Sequence, residues 1–502
     1  MTSTNATDFA VEPRLRTGVD GLDDILGGGL PANHLYLLDG EPGTGKTTFA
    51  LQYLLEGAAN GERCLYVTLS ESGAELAGVA ASHAWNLAGI DVYALAAAAA
   101  VADEYTLFHP AEVELQETMK EVLEAVEAHV PARVVFDSLS EMRLLARDPL
   151  RFRRQILALK QFFVGRACTV LLLDDRTAPD GDMRLHSLAH GVVALEHVAM
   201  EYGAERRRLH VRKLRGARFR GGFHDFRIGT GGISVYPRIR SSTAAVGCEV
   251  VELASGDAGL DDLTGGGLTR GTSTLITGAA GTGKTTLTMQ YVSAAVARGE
   301  RARMFLFDER VSTFTMRCAG VGIDLGNALA TGRLSIVQID PTEMSPGEFA
   351  NGIVDAVEKD GVGLLVIDSI NGFMNAMPAE RLLLVQLHEM LSYLANKGVS
   401  SLLTLVQHGI FGAPVDASAE VSYLADTVLL LRYFEFQGNV RQAISVVKKR
   451  SGAHERTIRE FRMDAGGIRV GAPLTEFHGV LTGVPHYVGT REPLLTPPPL
   501  RH

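Results

Sequence analysis

Cysteine is scarce. The 502 residues hold four, Cys64, Cys168, Cys248 and Cys318, far apart and with no C-x-x-C pair or accompanying histidine spacing. That excludes a disulfide framework and a zinc site of the usual spacing, leaving reduced packing residues. No apolar run is long enough to cross a bilayer, since the longest, near Val92–Ala102, falls well short of the ~20 residues a spanning helix needs. Met1–Val11 is polar, with no cationic start leading into an apolar core, so no secretory signal is read there and a cytoplasmic protein is expected. Positive charge is in deficit as well, with a net charge of −10, which argues against a surface built as a whole to neutralise nucleic-acid phosphates. The composition, 46% hydrophobic and 21% charged, is that of an ordinary folded protein and indicates neither disorder nor a membrane protein.

What the chain has is repetition. Gly21-Leu-Asp-Asp-Ile-Leu-Gly-Gly-Gly-Leu30 returns as Gly259-Leu-Asp-Asp-Leu-Thr-Gly-Gly-Gly-Leu268, an offset of 238 residues. The same offset carries Gly40-Glu-Pro-Gly-Thr-Gly-Lys-Thr47 onto Gly278-Ala-Ala-Gly-Thr-Gly-Lys-Thr285, and Glu71 onto Glu309. Further on, Val134-Val-Phe-Asp-Ser138 answers to Val366-Ile-Asp-Ser369, and Lys213-Leu-Arg215 to Lys448-Lys-Arg450, with small drifts that loop lengths explain. A repeat of this size predicts two domains, 1–240 and 241–502, each with its own core, joined near Pro237–Ala245, where the apolar period is lost. In each copy short apolar runs alternate with helical patterns: Leu35–Leu38, Leu65–Leu69, Val134–Phe136 and Val170–Leu173, then Thr274–Thr277, Met304–Phe307, Leu364–Ile367 and Leu402–Val406. That alternation predicts an α/β fold with a mainly parallel sheet. An antiparallel extension follows, clearest where Val428–Phe436 and Arg441–Lys448 flank an expected Gly438-Asn439 turn. Pro497–Pro499 suggests an extended tail.

The octapeptides match G-x-x-x-x-G-K-[ST], a loop whose backbone N–H groups wrap phosphates at a helix N-terminus. Both matches follow a strand, precede a helix and sit inside the duplication, which predicts ATP binding by Gly43, Thr44, Gly45, Lys46, Thr47 and Thr48, and by Gly281, Thr282, Gly283, Lys284, Thr285 and Thr286. Lys46 and Lys284 are expected on the β/γ-phosphates, and Thr47 and Thr285 on Mg2+. Asp137 and Asp368 end apolar strands, where α/β sheets bind ligands, and are expected near the same Mg2+; an N-cap role is the plainer alternative. Glu71, Asp308 and Glu309 lie just past the next strand and are candidate bases, or else solvated loop acids. Lys213/Arg215 and Lys448/Arg450 come late in each copy, and read either as surface charge or as cations that reach a neighbouring subunit's nucleotide.

Together these motifs resemble the KaiC family over essentially the whole chain. The resemblance implies two tandem RecA-like P-loop NTPase domains, a homohexameric double ring with ATP at subunit interfaces, a slow ATPase in the first domain and an autokinase in the second. It further implies a circadian or signalling role with KaiB-like or other signalling proteins as partners, and no nucleic acid. Glu420-Val-Ser422-Tyr423-Leu-Ala-Asp426-Thr427 aligns with the family's phosphoacceptor segment, so Ser422 is the implied acceptor and Tyr423 stands where a Thr is usual. Ser70-Glu71 replaces an adjacent glutamate pair, which implies weak or altered hydrolysis in the first domain, while Asp308-Glu309 keeps two carboxylates. Phe219 stands where a His is often found, and Phe477–Pro485 resembles the family's regulatory loop. Two other readings stay open: a DNA-associated RecA-like motor, and a scaffold that nucleotide holds together with little chemistry.

Overall fold

The computed structural model describes residues 13–94, 111–146, 148–175, 183–200, 203–240, 251–375, 383–407, 422–464, 467–480 and 486–489. The polar N-terminal stretch, the linker beyond 240, Cys248, Glu420, residues 481–485 of the regulatory-type loop and Pro497–Pro499 lie outside them. The main division of the chain falls between Arg238 and Ile239, and each unit is built around one nine-stranded sheet.

In the first unit the strands are β1 (Leu35–Gly40), β2 (Cys64–Thr68), β3 (Ile90–Ala94), β4 (Arg133–Asp137), β5 (Thr169–Asp175), β6 (Gly191–Val198), β7 (Arg206–Leu214), β8 (His224–Gly229) and β9 (Gly232–Tyr236). Their spatial order is β3-β2-β4-β5-β1-β6-β7-β8-β9. The second unit repeats the order with β10 (Ser273–Gly278), β11 (Ala302–Leu306), β12 (Leu334–Gln338), β13 (Leu364–Asp368), β14 (Ser400–Val406), β15 (Thr427–Phe436), β16 (Asn439–Lys449), β17 (Arg459–Asp464) and β18 (Gly467–Pro473), arranged β12-β11-β13-β14-β10-β15-β16-β17-β18. The first six strands of each order pair in parallel and the rest antiparallel. The expected α/β fold, two tandem RecA-like domains each with an antiparallel extension, is what forms.

The central strands are mainly apolar because both of their faces are covered. In the first unit Leu38, Tyr66, Val135 and Leu171 pack with Phe49 and Tyr53 of α1 (Lys46–Ala59) on one face. Leu37, Leu65, Val134 and Leu172 meet Phe152 and Ile156 on the other. The edge strands β3 and β12 escaped the sequence reading because they are short and only partly buried. One turn also differs: Phe436 pairs with Asn439, so the loop is Gln437-Gly438, one residue earlier than expected. Both loop residues have positive φ, 50° and 72°, as a two-residue hairpin of this hand requires. Cys64, Cys168 and Cys318 are buried free thiols, as expected of packing residues.

The ten-residue repeat that first marked the duplication is architectural. Leu22 and Ile25, on a short helix, are fully buried, and Asp23 accepts from Thr17 N and Oγ1 at 2.9 and 2.8 Å. Asp261 does the same job for Ser255 N at 2.7 Å.

Candidate active sites

Each phosphate-type loop lies between the central strand and a helix, at the C-terminal edge of its sheet. In the first unit β1 gives way at Gly40 and α1 starts at Lys46; in the second β10 ends at Gly278 and α2 (Lys284–Ala297) starts at Lys284. Gly45 and Gly283 cap the helices at φ 97° and 96°, and a Cβ on either would come within 2.5 Å of Ile228 or 2.3 Å of Met463. Gly43 and Gly281 also have positive φ. Thr44 and Thr282, fully buried, brace the loops by donating to Glu41 O and Ala279 O at 2.8 Å each. Thr48 and Thr286 are buried in the first turn, Thr48 Oγ1 lying 3.4 Å from His83 Nε2.

The two lysines sit differently. Lys46 Nζ donates to Gly40 O and Glu41 O at 2.9 Å each, and lies 2.6 Å from Asp175 Oδ1. Lys284 Nζ donates to Gly278 O and Ala279 O at 3.0 and 2.7 Å, and burial pushes its pKa down to about 8. Sequence reading missed Asp175, although Asp174-Asp175 closes the Val170–Leu173 run where the second copy has Leu405-Val406.

Asp137 and Asp368 stand beside the loop threonines. Asp137 accepts from Tyr66 OH at 2.5 Å and Thr47 Oγ1 at 3.4 Å, and Asp368 accepts from Thr404 and Thr285. Burial raises the pKa of both carboxyls above the usual range. Both face the loop.

The candidate bases divide. Glu71 Oε2 is buried with no hydrogen-bond partner among the described residues, and burial, with Asp137 and Glu75 nearby, raises its pKa. Its backbone N–H is fixed by Thr68 Oγ1 at 2.8 Å. Glu309 is held instead by Arg317 Nη2 at 2.6 Å, from the helix Val311–Gly320, and Asp308 Oδ2 accepts from Ser369 Oγ at 2.6 Å.

The late cations lie away from their own loops. β6 runs parallel to β1 and β7 antiparallel to β6, so Lys213 pairs beside Val192 and Arg215 lies beyond, towards the edge opposite Gly40. Lys213 Nζ donates to His186 O and Ala189 O at 2.6 and 2.8 Å, and Arg215 to Ser187 O at 2.9 Å. In the second unit Lys448 Nζ donates to Ser422 O at 3.1 Å and Ala425 O at 2.7 Å, and Arg450 to Tyr423 O at 2.8 Å. The geometry thus gathers Ser422 with Lys448 and Arg450, and sets all three apart from Lys284. Both lysines have pKa values lowered by burial first and by the neighbouring arginine second.

A family model described as the KaiC ATPase matches residues 15–240 and again 253–475. The chain belongs to the KaiC ATPase family. It is 26% identical over 489 residues to the circadian clock protein KaiC3 of Synechocystis sp., covering 95% of this chain and 96% of that one. It is 27% identical over 498 residues to the circadian clock oscillator protein KaiC of Parasynechococcus marenigrum, covering 98% and 96%. With the KaiC protein of Prochlorococcus marinus strain SARG it shares 28% identity over 483 residues, 95% of each. As a KaiC-type ATPase the chain binds and hydrolyses ATP. No helix of the described residues is long and apolar enough to cross a membrane.

Proposed function

We propose that the chain is an ATPase and serine autokinase working as a cytoplasmic homohexamer, with ATP and Mg2+ at subunit interfaces, and that phosphorylation of Ser422 makes it a signalling or timing switch answering to KaiB-like or other partner proteins. One observation carries the reading. β15 runs parallel to β10, with Thr274 beside Thr427 and Gly278 beside Leu431, so Ser422 precedes the sheet edge that Lys284 does not occupy. The paired stretch takes four residue steps from edge to edge, about 13 Å at 3.3 Å per residue, and Ser422 lies five residues before it. That separation supports transfer to Ser422 from the nucleotide of a second subunit rather than from its own domain.

In this reading Lys46 and Lys284 hold the β/γ-phosphates, and Glu71 orients or deprotonates the attacking water in the first unit. In the second, Glu309 accepts the hydroxyl proton of a neighbouring subunit's Ser422, and Asp308 beside it supplies negative charge that favours the transfer. Lys213/Arg215 and Lys448/Arg450, carried on the same edge as the acceptor segment, stabilise charge on the transferring phosphoryl group in trans. Thr47 with Asp137, and Thr285 with Asp368, would hold Mg2+, which when bound neutralises charge on the phosphates. The donors fit that ion: each site sets one threonine hydroxyl against one carboxylate, Thr47 with Asp137 and Thr285 with Asp368, and magnesium takes one or two such oxygens and keeps water and phosphate oxygens for the rest.

The test is a mixture of Lys284→Ala chains, which keep the acceptor, with Ser422→Ala chains, which keep the nucleotide site. Mass spectrometry should find phosphate on Ser422 of the Lys284→Ala chains when Mg-ATP is present. Wild-type protein that binds ATP but carries no phosphate on Ser422 would sink the autokinase. The Glu309–Arg317 ion pair favours a second reading, a ring that nucleotide holds together with little phosphoryl chemistry in the second unit. A ring that assembles with ATP and disassembles with ADP, without turnover at the second site, would support it.

A further inference from the structure

An ammonium group has three donors. In both units two of them are spent on loop carbonyls, Gly40 O and Glu41 O for Lys46, Gly278 O and Ala279 O for Lys284. The third is where the units part. Lys46 meets Asp175 Oδ1 at 2.6 Å, with the lysine side chain 8% and the aspartate 25% exposed. Among the described residues Lys284 has no ion-pair partner.

The difference is one of side chain, not of backbone. Asp175 pairs with Gly40, and Val406 with Gly278, at the same place in the two sheets. The helix after each strand-ending aspartate pins this position in both units. Ser140 Oγ donates to Asp175 Oδ2 at 3.1 Å and accepts from Asp175 N at 3.2 Å; Asn371 Nδ2 donates to Val406 O at 3.0 Å and its Oδ1 accepts from Val406 N at 2.6 Å. Asp174 next door is clamped by Arg143 Nη2, 3.0 Å from each carboxylate oxygen, so the strand end cannot drift away from the loop.

We propose that Asp175 is a positioning residue that competes with the β- and γ-phosphates for the Lys46 ammonium. It weakens the first unit's hold on nucleoside di- and triphosphates and speeds exchange of ADP there relative to the second unit. A phosphate entering the first loop shares or displaces a carboxylate and feels its negative charge, whereas the second loop offers Lys284 opposite Val406. The inference rests on nucleotide binding at both loops, not on the autokinase.

The experiment uses the full chain with one loop silenced at a time, and fluorescent ADP as the probe. In Lys284→Ala protein, Asp175→Asn should tighten ADP about tenfold, while Asp175→Glu, which keeps the charge, stays within about threefold of the parent. In Lys46→Ala protein the reciprocal Val406→Asp should weaken ADP about tenfold, which keeps the idea falsifiable if Asp175→Asn fails to fold. Loss of packing alone does not tighten a ligand. Unchanged or weaker ADP binding in Asp175→Asn, or unchanged binding in Val406→Asp, overturns the proposal. So does a fall in turnover at constant ADP affinity, which would make Asp175 an acid of the hydrolysis step. Absence of ADP binding to the unaltered chain would instead remove the nucleotide-site reading itself, and this inference with it.

Discussion

The two units share strand order, pairing and loop geometry, and differ in where they bury charge. Asp39, Asp174 and Asp175 at the loop end of the first sheet stand where the second has Thr277, Leu405 and Val406. Each of the three acids has a cation: Arg212 Nη1 lies 3.7 Å from Asp39, Arg143 grips Asp174 and Lys46 meets Asp175. At the start of β4, Arg133 is 1% exposed where β13 begins with Leu364. It binds Glu62 at 2.5 Å, donates to Arg16 O and Tyr53 O, and lies over the Tyr53 ring. The equivalent acid, Glu300, finds Arg270 and Arg298 nearer the surface. One topology thus accepts either solution, but their weaknesses differ. Buried charge tolerates no loss of a partner, and an apolar core tolerates no loss of volume.

That contrast can be broken most forcefully at Arg133. Arg133→Ala should lower the stability of the first unit by about 3–5 kcal/mol and leave the second unchanged, read as separate calorimetric transitions. Arg133→Leu combined with Glu62→Gln should recover most of the loss, because no charge is then left buried alone. If the single and double variants unfold alike, the ion pair is not what holds that corner. A smaller effect is expected at the bases. Glu71→Gln in a Lys284→Ala background should slow ATP hydrolysis about 100-fold, and Glu309→Gln should slow Ser422 phosphorylation comparably, with ATP binding retained. Equal hydrolysis with and without Glu71 would mean that the first site works through another group. The smallest change belongs to Arg317. Arg317→Ala frees Glu309 from a half-exposed pair and should raise phosphorylation about threefold; a decrease would assign Arg317 a positive part in transfer.

The sequence was most legible where chemistry is local. Glycine at φ near 97°, lysine opening a helix and aspartate closing an apolar strand are all set by neighbours in the chain. What escaped reading is set by sheet register. Tyr66 reaches Asp137, and Asp175 reaches Lys46, only because β4 and β5 lie where they do between β2 and β1. Thr404 on Asp368 is non-local in the same sense, and Arg317 lies eight residues beyond Glu309, about two helical turns on. The repeat held one unread signal, the Asp174-Asp175 against Leu405-Val406 mismatch at the end of matching strands.

Both antiparallel extensions carry one extra residue at the same point, Arg212 between the partners of Val192 and Val193, and Val447 between those of Val428 and Leu429. Side chains alternate along a strand, so this insertion sets the parity of everything after it, including Lys213 and Arg215, Lys448 and Arg450. Removing Arg212 or Val447 would leave each hairpin able to pair and all four of those cations in the chain, yet would turn them to the other side of the sheet. Such a deletion should therefore harm the protein more than substitution of either residue, since substitution costs only the 3.7 Å ion pair of Arg212 with Asp39 or the exposed side chain of Val447.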